Sequence, residues 1–181
     1  MIIHELSDEE CMRAIAETRF GRLACAHENQ PYVVPIYYAY QRGPDGDSCL
    51  YSFTTVGQKI DWMRANPLVC VEWDEVEKYD RWMSVLAFGR YEELAPGPEP
   101  RPRLPMRASP LRDEEVTEPE VHRAYELLRE HSTTWWQPGS AAFVCRTHSD
   151  LTRAWTPIYY RIRIDRVSGR RAVTEKERSA R

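Results

Sequence analysis

A small antiparallel β-barrel with peripheral helices is the fold class that this 181-residue chain predicts. Three observations point to it. Segments rich in β-branched and aromatic residues follow one another closely, with clusters of turn-forming residues between them. Helical patterns occur only near the start, after the third strand and late. There is no regular strand–helix alternation, which argues against a doubly wound parallel sheet.

Ser7-Asp-Glu-Glu10 is a capping box that opens a helix to about Thr18, with Leu6 placed to staple it and Cys11 and Ile15 on one face. Arg22 to His27 reads as a strand, and Glu28 to Pro31 as a turn. Tyr32 to Tyr40 is a second strand. Pro35 inside it cannot donate to a ladder, so an edge, a bulge or a ligand is expected beside it. Arg42-Gly-Pro-Asp-Gly-Asp47 makes that strand and Leu50 to Thr54 a hairpin with a long loop. Leu68 to Trp73 and Trp82 to Tyr91 are further strands, with a charged, exposed stretch from Asp74 to Arg81. Residues 95–116 are rich in proline and arginine and read as an extended surface loop. Thr117-Glu-Pro-Glu120 opens a helix to about His131. Ala141 to Cys145 and Pro157 to Asp165 are late strands. The second alternates Ile158, Tyr160, Ile162 and Ile164 against Tyr159, Arg161 and Arg163, which predicts one buried and one wet face. Residues 1–165 thus form one domain, and residues 166–181 read as a frayed tail.

The most informative segment is the junction of the third strand with its helix. Thr55 stands three residues before Gln58, the spacing of a capping box. Gly57 carries no Cβ, so an anion can approach the backbone, and free N–H groups there bear the positive end of the helix dipole. Lys59 adds a formal charge, and Asn66-Pro67 ends the helix. The pattern suits a phosphate, although many capped helices bind nothing.

Composition sets outer bounds. The chain is 42% hydrophobic and 29% charged with a net charge of -3, which lacks the basic footprint of a general nucleic-acid binder. No stretch has the length of a membrane span, and Met-Ile-Ile-His-Glu-Leu is no leader pattern, so cytoplasm is the expected location. The cysteines Cys11, Cys25, Cys49, Cys70 and Cys145 are odd in number and scattered, as small buried hydrophobes would be. Cys25 with His27 and Cys145 with His148 match no common zinc spacing, and no metal is expected. Trp135, Trp136 and Trp155 are expected in core or interface. His122 and Glu126 read as a surface pair on one helical face, and Arg22 as a strand-start residue paired with a carboxylate.

The ordered set Phe20-Gly-Arg-Leu-Ala24, Gln30-Pro-Tyr-Val-Val-Pro-Ile-Tyr-Tyr38, Leu50-Tyr51 with Gly57-Gln-Lys59 and Asn66-Pro67, and Ser84 to Leu94 resembles the pyridoxamine-phosphate-oxidase-like, FMN-binding split β-barrel proteins. The likeness is nearest their Nim-type (nitroimidazole reductase-like) branch and covers about residues 1–94, with Tyr159 to Ala172 similar to the closing strand of some members. The resemblance implies a homodimer holding two FMN molecules in interface clefts. It places the cofactor phosphate at Ser52, Phe53, Thr54, Gln58 and Lys59, the flavin ring along Pro35, Ile36 and Tyr37, and a polar contact at Ser84. The basic pair that pyridoxamine phosphate oxidases carry falls here on Val34 and Ala39, which argues against vitamin B6 oxidation, and Gln58 stands where some Nim-type proteins have His.

The function this implies is an FMN oxidoreductase moving two electrons between a nicotinamide nucleotide and a small organic acceptor, with no side chain assigned as acid or base. A non-catalytic binder of flavin, deazaflavin or haem in the same cleft is the alternative, and a dimeric structural protein the third reading.

Overall fold

The computed structural model describes residues 1–43, 46–94, 119–130 and 157–174. The 95–116 loop, the Thr117 capping box, Trp135, Trp136, the 141–145 strand, Cys145, His148 and Trp155 lie outside them.

Among the described residues the order is β1 (Ile2–Glu5), α1 (Asp8–Glu17), β2 (Phe20–His27), β3 (Gln30–Tyr37), β4 (Ala39–Arg42), β5 (Ser48–Thr54), α2 (Gln58–Ala65), β6 (Leu68–Lys78), β7 (Arg81–Glu93), α3 (Pro119–Glu130) and β8 (Ile158–Val173). All pairings are antiparallel, in the order β3-β2-β6-β7-β8-β5-β4, with β1 added to β8. The path begins and ends on strands separated only by Tyr38. One kinked chain segment therefore pairs with β2 through β3 and with β5 through β4, wrapping the sheet toward closure without a β3–β5 ladder. That gap is the split in the barrel.

Local chemistry explains the elements. The capping box of α1 forms as expected, Ser7 N–H donating to Glu10 at 2.9 Å and Glu10 N–H to Ser7 Oγ at 3.2 Å. Glu28 and Asn29 both take positive φ, 50° and 64°, giving the tight β2–β3 hairpin a twist that suits its strands. The expected single strand Tyr32 to Tyr40 breaks at Tyr38. The Tyr38 hydroxyl donates to Ile15 O at 3.0 Å and meets Thr18 Oγ1 at 2.5 Å, pinning the chain to the end of α1. Pro35 lies on β3, which ends the hydrogen-bonded path, as a residue without an N–H requires.

Two corrections concern the late chain. Residues 166–173 are not a tail: β8 continues to Val173, held by β7 on one side and β1 on the other. The Asp74 to Arg81 stretch is likewise mostly strand, turning at Tyr79 and Asp80.

The main core gathers Ile15, Leu23, Tyr38, Leu50, Ile60, Met63, Val71, Val85, Tyr160 and Ile162 inside the sheet. A second apolar cluster joins Tyr37, Tyr51, Phe53 and Tyr159 to Ala124, Tyr125 and Leu128 of α3. This corrects the expectation of a wet face on β8, because α3 covers Tyr159. Arg161 on the same face is bound by Glu92 and Glu120.

Candidate functional site

The β5–α2 corner is built from Thr54, which ends β5 opposite Ile158, a short connection through Thr55 and Val56, and the first turn of α2. The capping box expected between Thr55 and Gln58 does not form. The helix starts at Gln58, Gly57 holds the cap position with extended backbone (φ 170°), and no side chain caps it. Thr55 stands too early. The Gly57 carbonyl accepts from Ile60 N–H at 2.9 Å and from Asp61 N–H at 3.1 Å, while Gln58 and Lys59 present the opening N–H groups. Space around Gly57 is open, with nothing within 4 Å of where a Cβ would stand.

Lys59 is half-buried at this corner and makes no hydrogen bond or ion pair among the described residues. Burial holds its ammonium pKa below the ordinary lysine value, with the Cys25 thiol acting weakly the other way. A desolvated cation without a counter-ion beside an uncapped helix start fits a dianion.

The other expected residues fall in different places. Ser52 is buried, and its hydroxyl is committed to the Tyr37 carbonyl at 2.7 Å, so it spans the split. Phe53 packs on Tyr159, with ring centroids 6.1 Å apart. Gln58 is exposed at the corner, and Pro35 is exposed on β3. The Ile36 side chain points into the main core, which leaves its backbone as the part available on β3. Tyr37 is buried in the second cluster, with Phe20 edge-on at 5.6 Å.

Ser84 stands apart. It pairs with Arg170 on β8, whereas Thr54 pairs with Ile158, twelve residues away along that strand. That is about 40 Å of strand contour. One chain alone does not bring Ser84 to the corner.

Ser84 belongs to the outward face of the sheet. Directly paired residues share a face, so the rows can be read across the strands. Pro35, Arg22, Glu72, Leu86 and Ser168 form one row, and Val33, Ala24, Cys70, Phe88 and Arg166 the next. Asp74, Ser84, Arg170 and Glu5 form a third, and Val76, Trp82, Ala172 and Ile3 a fourth. Ile3, Phe20, Val33, Leu68 and Val76 are each more than half exposed, and register puts all five on this face. Its β6 flank is acidic, with Glu72 and Asp74 gripping Arg22 as expected for that residue. Its β8 flank is basic, with Arg166 over Phe88 at 3.7 Å and Arg170 exposed. Sequence reasoning missed this face. The available signal was the alternation of Arg166, Ser168 and Arg170 with Val167 and Gly169.

Cys11, Cys25 and Cys49 are buried free thiols and Cys70 is half-buried, all with pKa raised by burial. Among the described residues no group of three His, Cys, Asp or Glu could hold a metal ion, and no helix is long and apolar enough to cross a membrane.

An antiparallel barrel slit between β3 and β5 is the split-barrel class, a mostly antiparallel sheet with few helices. The chain belongs to the pyridoxamine 5'-phosphate oxidase family, whose model matches residues 7–120. It is 33% identical over 172 residues to an uncharacterized protein of Rhizobium meliloti, covering 95% of this chain and 97% of that one. The crystal structure of an FAD-binding protein from Mesorhizobium loti is 36% identical and superimposes with a TM-score of 0.62, over 96% of this chain and 99% of the other. A Bacteroides thetaiotaomicron protein named for 5-nitroimidazole antibiotic resistance matches at 16% identity and a TM-score of 0.57, over 94% and 89% of the two chains. At that identity the likeness is one of fold.

Proposed function

We propose that this chain is a homodimeric flavoprotein that binds FMN and acts in the cytoplasm as an oxidoreductase, moving two electrons between a nicotinamide nucleotide and a small organic acceptor. The observation that carries the proposal is Lys59, a half-buried ammonium with no partner among the described residues, at a helix start that no side chain caps. The name of the Mesorhizobium loti relative supports a flavin, and its FAD contains the same phosphate next to the ribityl chain.

The residues divide the work. Lys59, Gln58 and Thr54 hold the phosphate, together with the opening N–H groups of α2. Pro35 leaves one ladder position on β3 without a donor, and Ile36 and Tyr37 offer backbone along the ring. Ser52 fixes the distance between β3 and β5, and Phe53 shields the corner from the α3 side. Ser84 comes from the partner. The flavin supplies the electron-transfer chemistry when bound, and the protein supplies orientation and charge. The outward sheet face supports the dimer: it carries five exposed apolar residues on β1, β2, β3 and β6, together with an acidic pair on β6 and exposed arginines on β8, a surface that can complement itself under two-fold symmetry.

The absorbance spectrum of freshly purified protein tests the reading, with two visible flavin bands expected and FMN identified by chromatography of the released pigment. Anaerobic bleaching by NADH or NADPH, reversed by an acceptor, separates an enzyme from a carrier. Lys59→Ala should weaken FMN by about 1.5–3 kcal/mol. A colourless protein that ignores added FMN defeats the proposal.

A further inference from the structure

We propose that the Arg64–Glu93 pair is a positioning device for the phosphate corner: by clamping the far end of α2 to β7, it keeps Lys59 half-buried at the helix start. This rests on the flavin reading above and adds to it what holds the lysine in place.

α2 is only about two turns long, too short to hold itself, so tertiary contacts set its place. Ile60 and Met63 enter the main core, and the Trp62 ring meets Tyr32 edge-on with centroids 5.6 Å apart. Such contacts are non-directional and fix the depth of a short helix better than its tilt. Direction comes from polar ties, and among the described residues these fall at residues 64–67. Arg64 donates through Nε and Nη2 to the two carboxylate oxygens of Glu93, each at 2.8 Å. Asn66 Nδ2 donates to the Ala26 carbonyl at 3.0 Å, and Tyr91 N–H to the Pro67 carbonyl at 2.9 Å. The forked pair is the strongest and most directional of the three.

Glu93 is itself held from beneath. The Tyr91 hydroxyl donates to its Oε2 at 2.9 Å, and the Tyr91 ring is buried against Tyr160 with centroids 5.4 Å apart. The Arg64 fork, with help from that hydroxyl, holds the Glu93 carboxyl below its ordinary value, so the acceptor is charged at neutral pH. Nothing comparable holds the other end of α2, where no side chain caps the helix. Arg64 stands five residues after Lys59, about 7.5 Å along the axis and on a different face, so it acts on the ammonium through the helix and not by contact. The titratable groups on the strands packed against α2 include Cys25 and His27 of β2, Tyr32 of β3, and Tyr91 and Glu93 of β7. Of these, Cys25 is the one that bears on Lys59. A released helix would sample tilts in which the ammonium reaches water.

Lys59 reports on the clamp with or without flavin. Its ammonium titration is followed by NMR in the flavin-free full-length protein. Lys59, Lys78 and Lys176 are the lysines of the chain, so the signal is assigned by its loss in Lys59→Arg. Glu93→Gln keeps the shape of the acceptor, and Arg64→Lys keeps the charge without the fork. Each should move the Lys59 midpoint up toward its ordinary value and weaken FMN about fivefold. Arg64→Glu combined with Glu93→Arg rebuilds the pair in reverse and should bring both back part of the way. An unchanged Lys59 midpoint in the folded single variants would overturn the proposal, whether urea stability fell or FMN weakened, because the pair would then be structural only. A midpoint that moved down would overturn it too. Failure of the wild-type protein to bind FMN, with the Lys59 midpoint still shifting in the variants, would instead strike the flavin reading and leave the clamp on Lys59 standing.

Discussion

The Ser52 hydroxyl donates to the Tyr37 carbonyl at 2.7 Å, between β5 and β3, which share no strand ladder among the described residues. This side chain does there what a row of backbone bonds does elsewhere. It joins the strand that carries the β5–α2 corner to the strand that ends at Tyr37, so the spacing of the two depends on one buried polar contact.

Ser52→Ala should therefore destabilise the protein by about 1–2 kcal/mol, since a buried carbonyl loses a donor and the alanine restores nothing. Urea unfolding followed by circular dichroism measures this. A variant as stable as wild type would mean that the surrounding packing, rather than the hydrogen bond, holds the split.

Gly89 lies where the β7–β8 register shifts between Phe88 and Gly89, and a Cβ there would run into the Arg163 carbonyl. The obstacle is backbone, which cannot swing aside. Gly89→Ala should cost about 2 kcal/mol or more by forcing the two longest strands apart. Thermal unfolding should show the loss, and an unchanged midpoint would show that the bulge yields freely.

Tyr160 is fully buried, and its hydroxyl has no partner of good geometry. Ser52 is near, but its proton is committed to Tyr37. Burial pushes the Tyr160 pKa up to about 12. A raised tyrosine pKa contributes stability that is complete below the unfolded value near 10 and lost as pH rises through the folded one. Tyr160→Phe removes an unsatisfied hydroxyl, so it should be neutral to stabilising at pH 7 and should flatten the loss of stability between pH 10 and 12. Denaturant curves across that range check both parts.

Much of this architecture was written locally. The α1 capping box, the β2–β3 turn and the strand-to-helix corner each depend on residues a few positions apart, so short-range pattern finds them. What escaped depends on distant partners. Nothing near Tyr38 announces that Thr18 and the Ile15 carbonyl will break its strand. Residues 166–173 alternate arginine with small residues like a solvated tail, and only pairing with both β7 and β1 makes them a strand. The Thr55 box had the right spacing, but the helix began after Gly57 and left its start uncapped. Ser84 enters as a cofactor contact by resemblance alone, and its distance from the corner along β8 appeared only with the register.

Lys59 ties stability to binding with opposite signs. In the flavin-free protein its pKa is depressed below the ordinary 10.5, so the unfolded chain binds more protons between the two values and stability rises with pH across that window. A dianionic phosphate favours the ammonium and moves the pKa back up. FMN affinity should then be flat below the depressed pKa and fall as pH rises through it, toward tenfold per pH unit, as each binding event takes up one proton. Lys59→Arg should abolish that slope, because the guanidinium stays charged throughout. Lys59→Met should raise the stability of the flavin-free protein at pH 7, where burying the ammonium is a cost, while removing most FMN affinity. Fluorescence titrations of FMN from pH 7 to 10, beside urea curves without flavin, measure the two effects. If Lys59→Met weakened both stability and binding, the lysine would be a structural member of the corner rather than its anion ligand.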